Sequence, residues 1–232
     1  MQQKIKWVGA ALMVGGLLML TRMAPIFVVL PDDLSFPPES TQEMVRLAAI
    51  AGSRWQFSHV MGLVAVALFI IAYGWHAKLL IQLGWKRVGL AIAAIAMVAF
   101  GLLGVALTID GFFVPLTIQQ HVSPGAGESM TLEHVAESHA LALSIFTPAV
   151  FLMFVAVGLL STPMLHRSIH SRWMGLVGQL VAVLAVVAYV TGAAGPHWDN
   201  LKIAGSLMMA AFAWHLVVGS RALFVKPGIG VT

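Results

Sequence analysis

Residues 86–110 read KRVGLAIAAIAMVAFGLLGVALTID. Nothing between Arg87 and Asp110 carries a charge, and the stretch exceeds the roughly 20 apolar residues that cross a bilayer core. Two cations bound one end of it and a carboxylate bounds the other. The same asymmetry recurs along the chain. All nine acidic residues lie within 32–43, within 110–137 or at Asp199. Lys4, Lys6, Lys78, Lys86, Arg87, Arg167, Arg172, Arg221 and Lys226 lie at the opposite set of apolar-segment ends. Short Lys- and Arg-rich loops stay cytoplasmic. The pattern therefore predicts a protein integral to a bacterial cytoplasmic membrane, with both termini inside and the acidic loops outside.

Composition agrees. The chain is 59% hydrophobic and 9% charged, against roughly 25% charged for a soluble domain. The predicted fold is all-α, a single polytopic bundle over 1–232 with six transmembrane helices near 5–30, 55–79, 87–111, 133–160, 172–194 and 201–224. The first is read as a retained span, because Thr21-Arg22-Met23-Ala24-Pro25 is a poor cleavage site. The net charge of +4 is a topology signal, and no Lys/Arg run resembles a nucleic-acid arm. Absence of cysteine excludes disulfides, thiolate metal sites and cysteine nucleophiles. No phosphate loop or nucleophile elbow is present, which excludes a soluble-type enzyme domain.

Between the spans, Ser40-Thr41-Gln42-Glu43 has the capping-box pattern. Met44, Leu47, Ala48 and Ala51 then share one face. A short helix over 41–52, lying on the outer surface and stopped by Gly52, is expected. The loop over 119–130, with Pro124, Gly125 and Gly127, is expected to be flexible. Small residues in two spans suggest close helix contacts: Gly175, Gly178, Ala182, Ala185 and Gly192 in the fifth, Ala91, Ala94 and Gly101 in the third. Trp7, Trp55, Trp75, Trp85, Trp173 and Trp198 sit near span ends and read as interfacial anchors.

Polar residues within the spans form two layers. The outer layer holds Arg22, Arg54, His59, Asp110, Glu133, His134, Glu137 and His139. Ionisable groups at membrane depth usually pair or serve a site; the alternative is a polar rim at the headgroup boundary. His59 and His139, on different spans at similar depth, are candidate axial ligands of a b-type haem. Gly62 offers room beside His59, and Arg22 and Arg54 suit the propionates. His134 and Glu137 share a helix face and form a weak metal pair. The inner layer holds Gln179 and His215 at matching depth, with Tyr73 and His76 as possible neighbours. A Gln179–His215 hydrogen bond tying the fifth and sixth spans is expected, with a quinone site or a second haem as alternatives.

Three functions follow from these residues. One is a subunit or accessory protein of an electron-transfer assembly, with haem b or quinone and other membrane subunits as partners. Another is a carrier for a proton, ion or small solute, using Asp110, Glu137, Gln179 and His215. The last is a structural or partner-binding membrane protein without chemistry. Whether the chain is an enzyme is left open by its sequence.

Overall fold

The computed structural model describes residues 2–31, 34, 40–121, 128–166, 171–194 and 198–224. Among these, all regular structure is helical: α1 (Gln2–Thr21), α2 (Ala24–Phe27), α3 (Thr41–Ala51), α4 (Ser53–Gln82), α5 (Lys86–Thr108), a π-turn (Ile109–Phe113), α6 (Val114–His121), α7 (Glu128–Leu165), α8 (Arg172–Val190) and α9 (Trp198–Phe224). Six of the helical stretches are long and apolar enough to cross a membrane: 5–27, 53–82, 86–119, 133–165, 172–190 and 203–224. The expected spans are all present, with shifted ends. The fifth stops at Val190 rather than 194, where Thr191 and Gly192, at φ 75°, end the helix. The connection between α4 and α5 shrinks to three residues because Gly84 adopts φ 91°.

The spanning helices close a ring in the order α1, α4, α5, α7, α8, α9, with α9 packed on α1. Glycine makes that closure possible. A Cβ on Gly9 would lie 2.7 Å from the Ala222 Cβ, and one on Gly16 would lie 2.8 Å from the Phe212 carbonyl oxygen. Gly219 answers from α9, where a Cβ would come within 2.5 Å of the Gly9 carbonyl oxygen. In lipid, where hydrophobic sorting between helices is absent, such backbone contact is what holds helices together.

Of the two small-residue stripes expected from sequence, one packs. Gly175, Gly178, Ala182 and Ala185 are buried on α8, with Gly178 against the Ser161 hydroxyl and the Trp214 ring and Gly158 against Ala182. Ala94 and Gly101 are exposed instead. The buried face of α5 runs through Gly89, Ile92, Ala96, Ala99, Phe100 and Leu103, because bulky apolar side chains as well as small ones face the core. Phe69 lies at the centre, its ring 5.1 Å from Phe100 and 5.9 Å from Phe212.

Helix α3 begins as its sequence predicts, with the Ser40 hydroxyl accepting from the Glu43 amide at 3.2 Å, and ends at Gly52, φ 51°. Its placement differs from expectation. Met44, Leu47, Ala48 and Ala51 are buried in one cluster with Ile26, Trp55, Val114, Ile118 and Val135. The apolar face rests on protein, so α3 covers the acidic end of the bundle instead of floating on lipid. Of the loop expected over 119–130, residues up to His121 and from Glu128 are helical, and 122–127 lie outside the described residues.

Candidate functional site

Two prolines shape the acidic end. Pro25 stands at the start of α2. Its ring would clash with the carbonyl four residues earlier, at Thr21, and α1 ends there, leaving Arg22 at the break. Pro115 acts on the third span in the same way. Its ring would clash with the Gly111 carbonyl, and the helix widens to a π-turn over Ile109–Phe113. Such one-turn widenings cluster at functional sites.

The π-turn has an exact consequence for one carbonyl. The Val114 amide bonds to Ile109, five residues back, rather than to Asp110. In that register the next amide, which would serve Asp110, belongs to Pro115 and does not exist. The Asp110 carbonyl takes the Trp55 indole N–H instead, at 2.9 Å. Trp55 is therefore no lipid anchor. It is 3% exposed, and it clasps α4 to the break in the third span.

The Asp110 carboxylate lies between two imidazoles. Oδ2 is 3.1 Å from His59 Nε2 and Oδ1 is 3.2 Å from His139 Nδ1. The side chains of His59, His139 and Asp110 are 2%, 12% and 24% exposed, so the group is largely withdrawn from its surroundings but not sealed. Gly111 makes the approach possible, since a Cβ there would overlap the His59 Cβ and lie 2.6 Å from its Cγ. The Arg22 stem passes Gly62, with Cδ 3.6 Å from the position of a Cβ. Its Nη1 is buried and has no hydrogen-bond acceptor among the described residues.

Hydrogen-bond chemistry places the protons. His59 Nδ1 is 2.8 Å from the Trp55 carbonyl oxygen, which only accepts, so Nδ1 carries a hydrogen. Between Nε2 and Oδ2 there must then be a second proton, on the ring or on the carboxyl, because two lone pairs do not bond. The pair is imidazolium with carboxylate, or imidazole with carboxylic acid, and is neutral overall either way. Taking that proton away breaks the bond between α4 and the third span.

The structure thus joins His59, Asp110 and His139, which sequence placed in one layer, and brings Arg22 towards them. It leaves Arg54, Glu133, His134 and Glu137 exposed. No group of three or more metal-ligating side chains capable of holding an ion occurs among the described residues. As for haem, both His59 nitrogens are engaged, one by Asp110 and one by backbone, so His59 would face an iron only after Asp110 withdrew.

The inner layer departs from expectation. Gln179 does not bond to His215. Its Nε2 donates to the Gly158 carbonyl and to Thr162 Oγ1, both at 2.8 Å, tying α8 to α7. His215 pairs with Tyr73 across the bundle, Nε2 to hydroxyl at 2.7 Å. Its Nδ1 donates to the Ala211 carbonyl at 2.7 Å, so Nε2 of the neutral ring accepts and the tyrosine donates. Matching depth was the basis of the Gln179–His215 expectation; the two side chains leave their helices on different faces. Trp214 packs edge-on against His215, centroids 5.1 Å apart, and donates to the Met174 carbonyl at 2.9 Å. The signal that sequence reading missed at the outer cluster is Pro115, which stands where the Asp110 carbonyl would look for its partner. Comparison with protein-family models, with curated proteins and with solved structures finds no match to this chain.

Proposed function

We propose that the protein is an integral membrane carrier that couples movement of an ion or small solute to a proton held at the His59–Asp110–His139 cluster. By the charge asymmetry of its ends, the basic end faces the cytoplasm and the cluster lies towards the outer face of a bacterial cytoplasmic membrane. The observation that carries the reading is the backbone lock on His59 Nδ1. It makes the His59–Asp110 bond depend on a proton, so protonation and helix contact change together, as coupling requires. His59 and Asp110 hold the proton between them, and His139 is a second imidazole on the same carboxylate. Arg22 supplies fixed positive charge beside the carboxylate. Glu137 is exposed and has no part in the cluster. Gln179 and His215 tie helices together away from the cluster.

Asp110→Asn separates chemistry from structure. An amide can donate to His59 Nε2 and accept from His139 Nδ1, so the contacts survive while the transferable proton is gone. In proteoliposomes holding a pH-reporting dye, the native chain is expected to move protons with one member of a panel of anionic, cationic and neutral solutes. The Asn variant is expected to move none while unfolding at a similar temperature. Proton-linked flux that persists in the variant would sink the proposal.

The electron-transfer reading rests on His59 and His139 facing the same carboxylate from α4 and α7. It requires Asp110 to swing out and a macrocycle to enter. A reduced-minus-oxidised visible spectrum of protein made with ample haem separates the two: a Soret band lost on His59→Ala favours haem, and a featureless spectrum favours the carrier.

A further inference from the structure

At the basic end, on the outside of the ring, α1 and α4 leave a groove of about 410 Å³ lined by Trp7, Ala11, Val14, Leu68, Ile71 and Trp75. That volume falls within the range of small-ligand sites, and the lining is apolar apart from the two indole N–H groups. The groove lies on the basic-end side of the point where Gly15 meets the Phe69 ring. Trp7 is 71% exposed and Trp75 37% exposed. Each wall continues into a cation. Lys78 stands three residues past Trp75 and seven past Ile71 on the same stripe of α4, and its Nζ lies 5.2 Å over the Trp75 ring. Lys6 is exposed and stands one turn before Ala10, which lines the groove. No acidic residue occurs at this end of any span.

We infer that this groove is a binding site for an anionic phospholipid, with an acyl chain between Trp7 and Trp75 and its phosphate at Lys6 and Lys78. The chemistry asks for one molecule that is apolar along its length and anionic at one end. Indoles prefer the headgroup zone, which sets the depth of the phosphate, and the cation–π contact holds the Lys78 ammonium at the mouth of the groove. A second copy of the chain is a poorer occupant. Self-association about a two-fold axis presents the same patch to itself and would set lysines against lysines.

The test is native mass spectrometry of the protein released from nanodiscs containing equal amounts of phosphatidylglycerol and phosphatidylcholine. Retained phosphatidylglycerol is expected to exceed phosphatidylcholine, with each lysine contributing about five-fold. Lys6→Gln with Lys78→Gln, both at exposed positions, should bring the ratio near one while lipid retention continues. Val14→Trp, which fills the groove from a position 40% exposed, should lower retention of both lipids. Equal retention by the native chain, or a preference unchanged by the double lysine variant, would overturn the assignment. So would a dimer whose dissociation alone opens the groove to lipid.

Discussion

Gly111→Ala is the sharpest probe of the outer cluster. The added methyl would overlap the His59 Cβ and lie 2.6 Å from its Cγ and 3.1 Å from its Cδ2. These are atoms near the base of a ring held at both nitrogens, so they have little freedom to give. Overpacking of this kind costs about 1–3 kcal/mol. If the ring yields instead, the bond to Asp110 goes with it, at about 1–3 kcal/mol. Either route predicts a loss of about 1–3 kcal/mol. Two glycines on the same span serve as controls. A Cβ on Gly101 meets nothing within 4 Å, and one on Gly104 meets the Val66 Cγ1 at an ordinary 3.6 Å. Gly101→Ala should stabilise by about 0.5–1 kcal/mol through helix propensity alone, and Gly104→Ala should lie near neutral. Thermal unfolding in one detergent, followed by circular dichroism, ranks the three variants. If Gly111→Ala melts at or above Gly101→Ala, the close approach of the π-turn to His59 is wrong, and the proton argument built on it fails too.

Other consequences are as direct. Tyr73→Phe strands a buried His215 Nε2 and should cost about 1–3 kcal/mol; adding His215→Phe, inside the Phe69–Phe212 cage, should recover part of that loss in a double-mutant cycle. Gln179→Leu should cost no more than about 1.7 kcal/mol. Because Gln179 and His215 share no bond, combining Gln179→Leu with His215→Phe should be additive within about 0.5 kcal/mol by chemical unfolding. Trp55→Phe removes the indole N–H that bonds to the Asp110 carbonyl and should cost about 1–3 kcal/mol. ¹⁵N NMR of labelled histidines should find His59 Nδ1 protonated throughout the range in which the fold is intact; a tautomer with hydrogen on Nε2 alone would refute the backbone lock.

The charge alternation around Asp110 and Lys86-Arg87 carried the architecture because the bilayer leaves so few options for uncharged segments of that length. The level of these side chains along the bundle was also legible. His59, Asp110 and His139 share a layer because helical rise is fixed. Which residues in a layer touch depends on rotation about each helix axis, and that was not legible. Gln179 and His215 match in depth and face different neighbours. Ala94 and Gly101 form a stripe that turns outward. Trp55 has the position of an interfacial anchor, yet its role is set by a proline on another span. Pairing of that kind belongs to no local pattern, since Pro115 affects Trp55 only through a carbonyl that the π-turn leaves behind.

The glycine contact between α1 and α9 also fixes a timetable. Gly9 and Gly219 touch across 210 residues of sequence, and ribosomes add about 5–20 residues per second. For roughly 10–40 seconds after Gly9 is made, its face has no Gly219 to meet. Through that interval α1 has α4 as its early neighbour, with Gly15 seated on Phe69. The ring stays an open arc until α9 is made, and the α1–α9 seam is the contact that closes it.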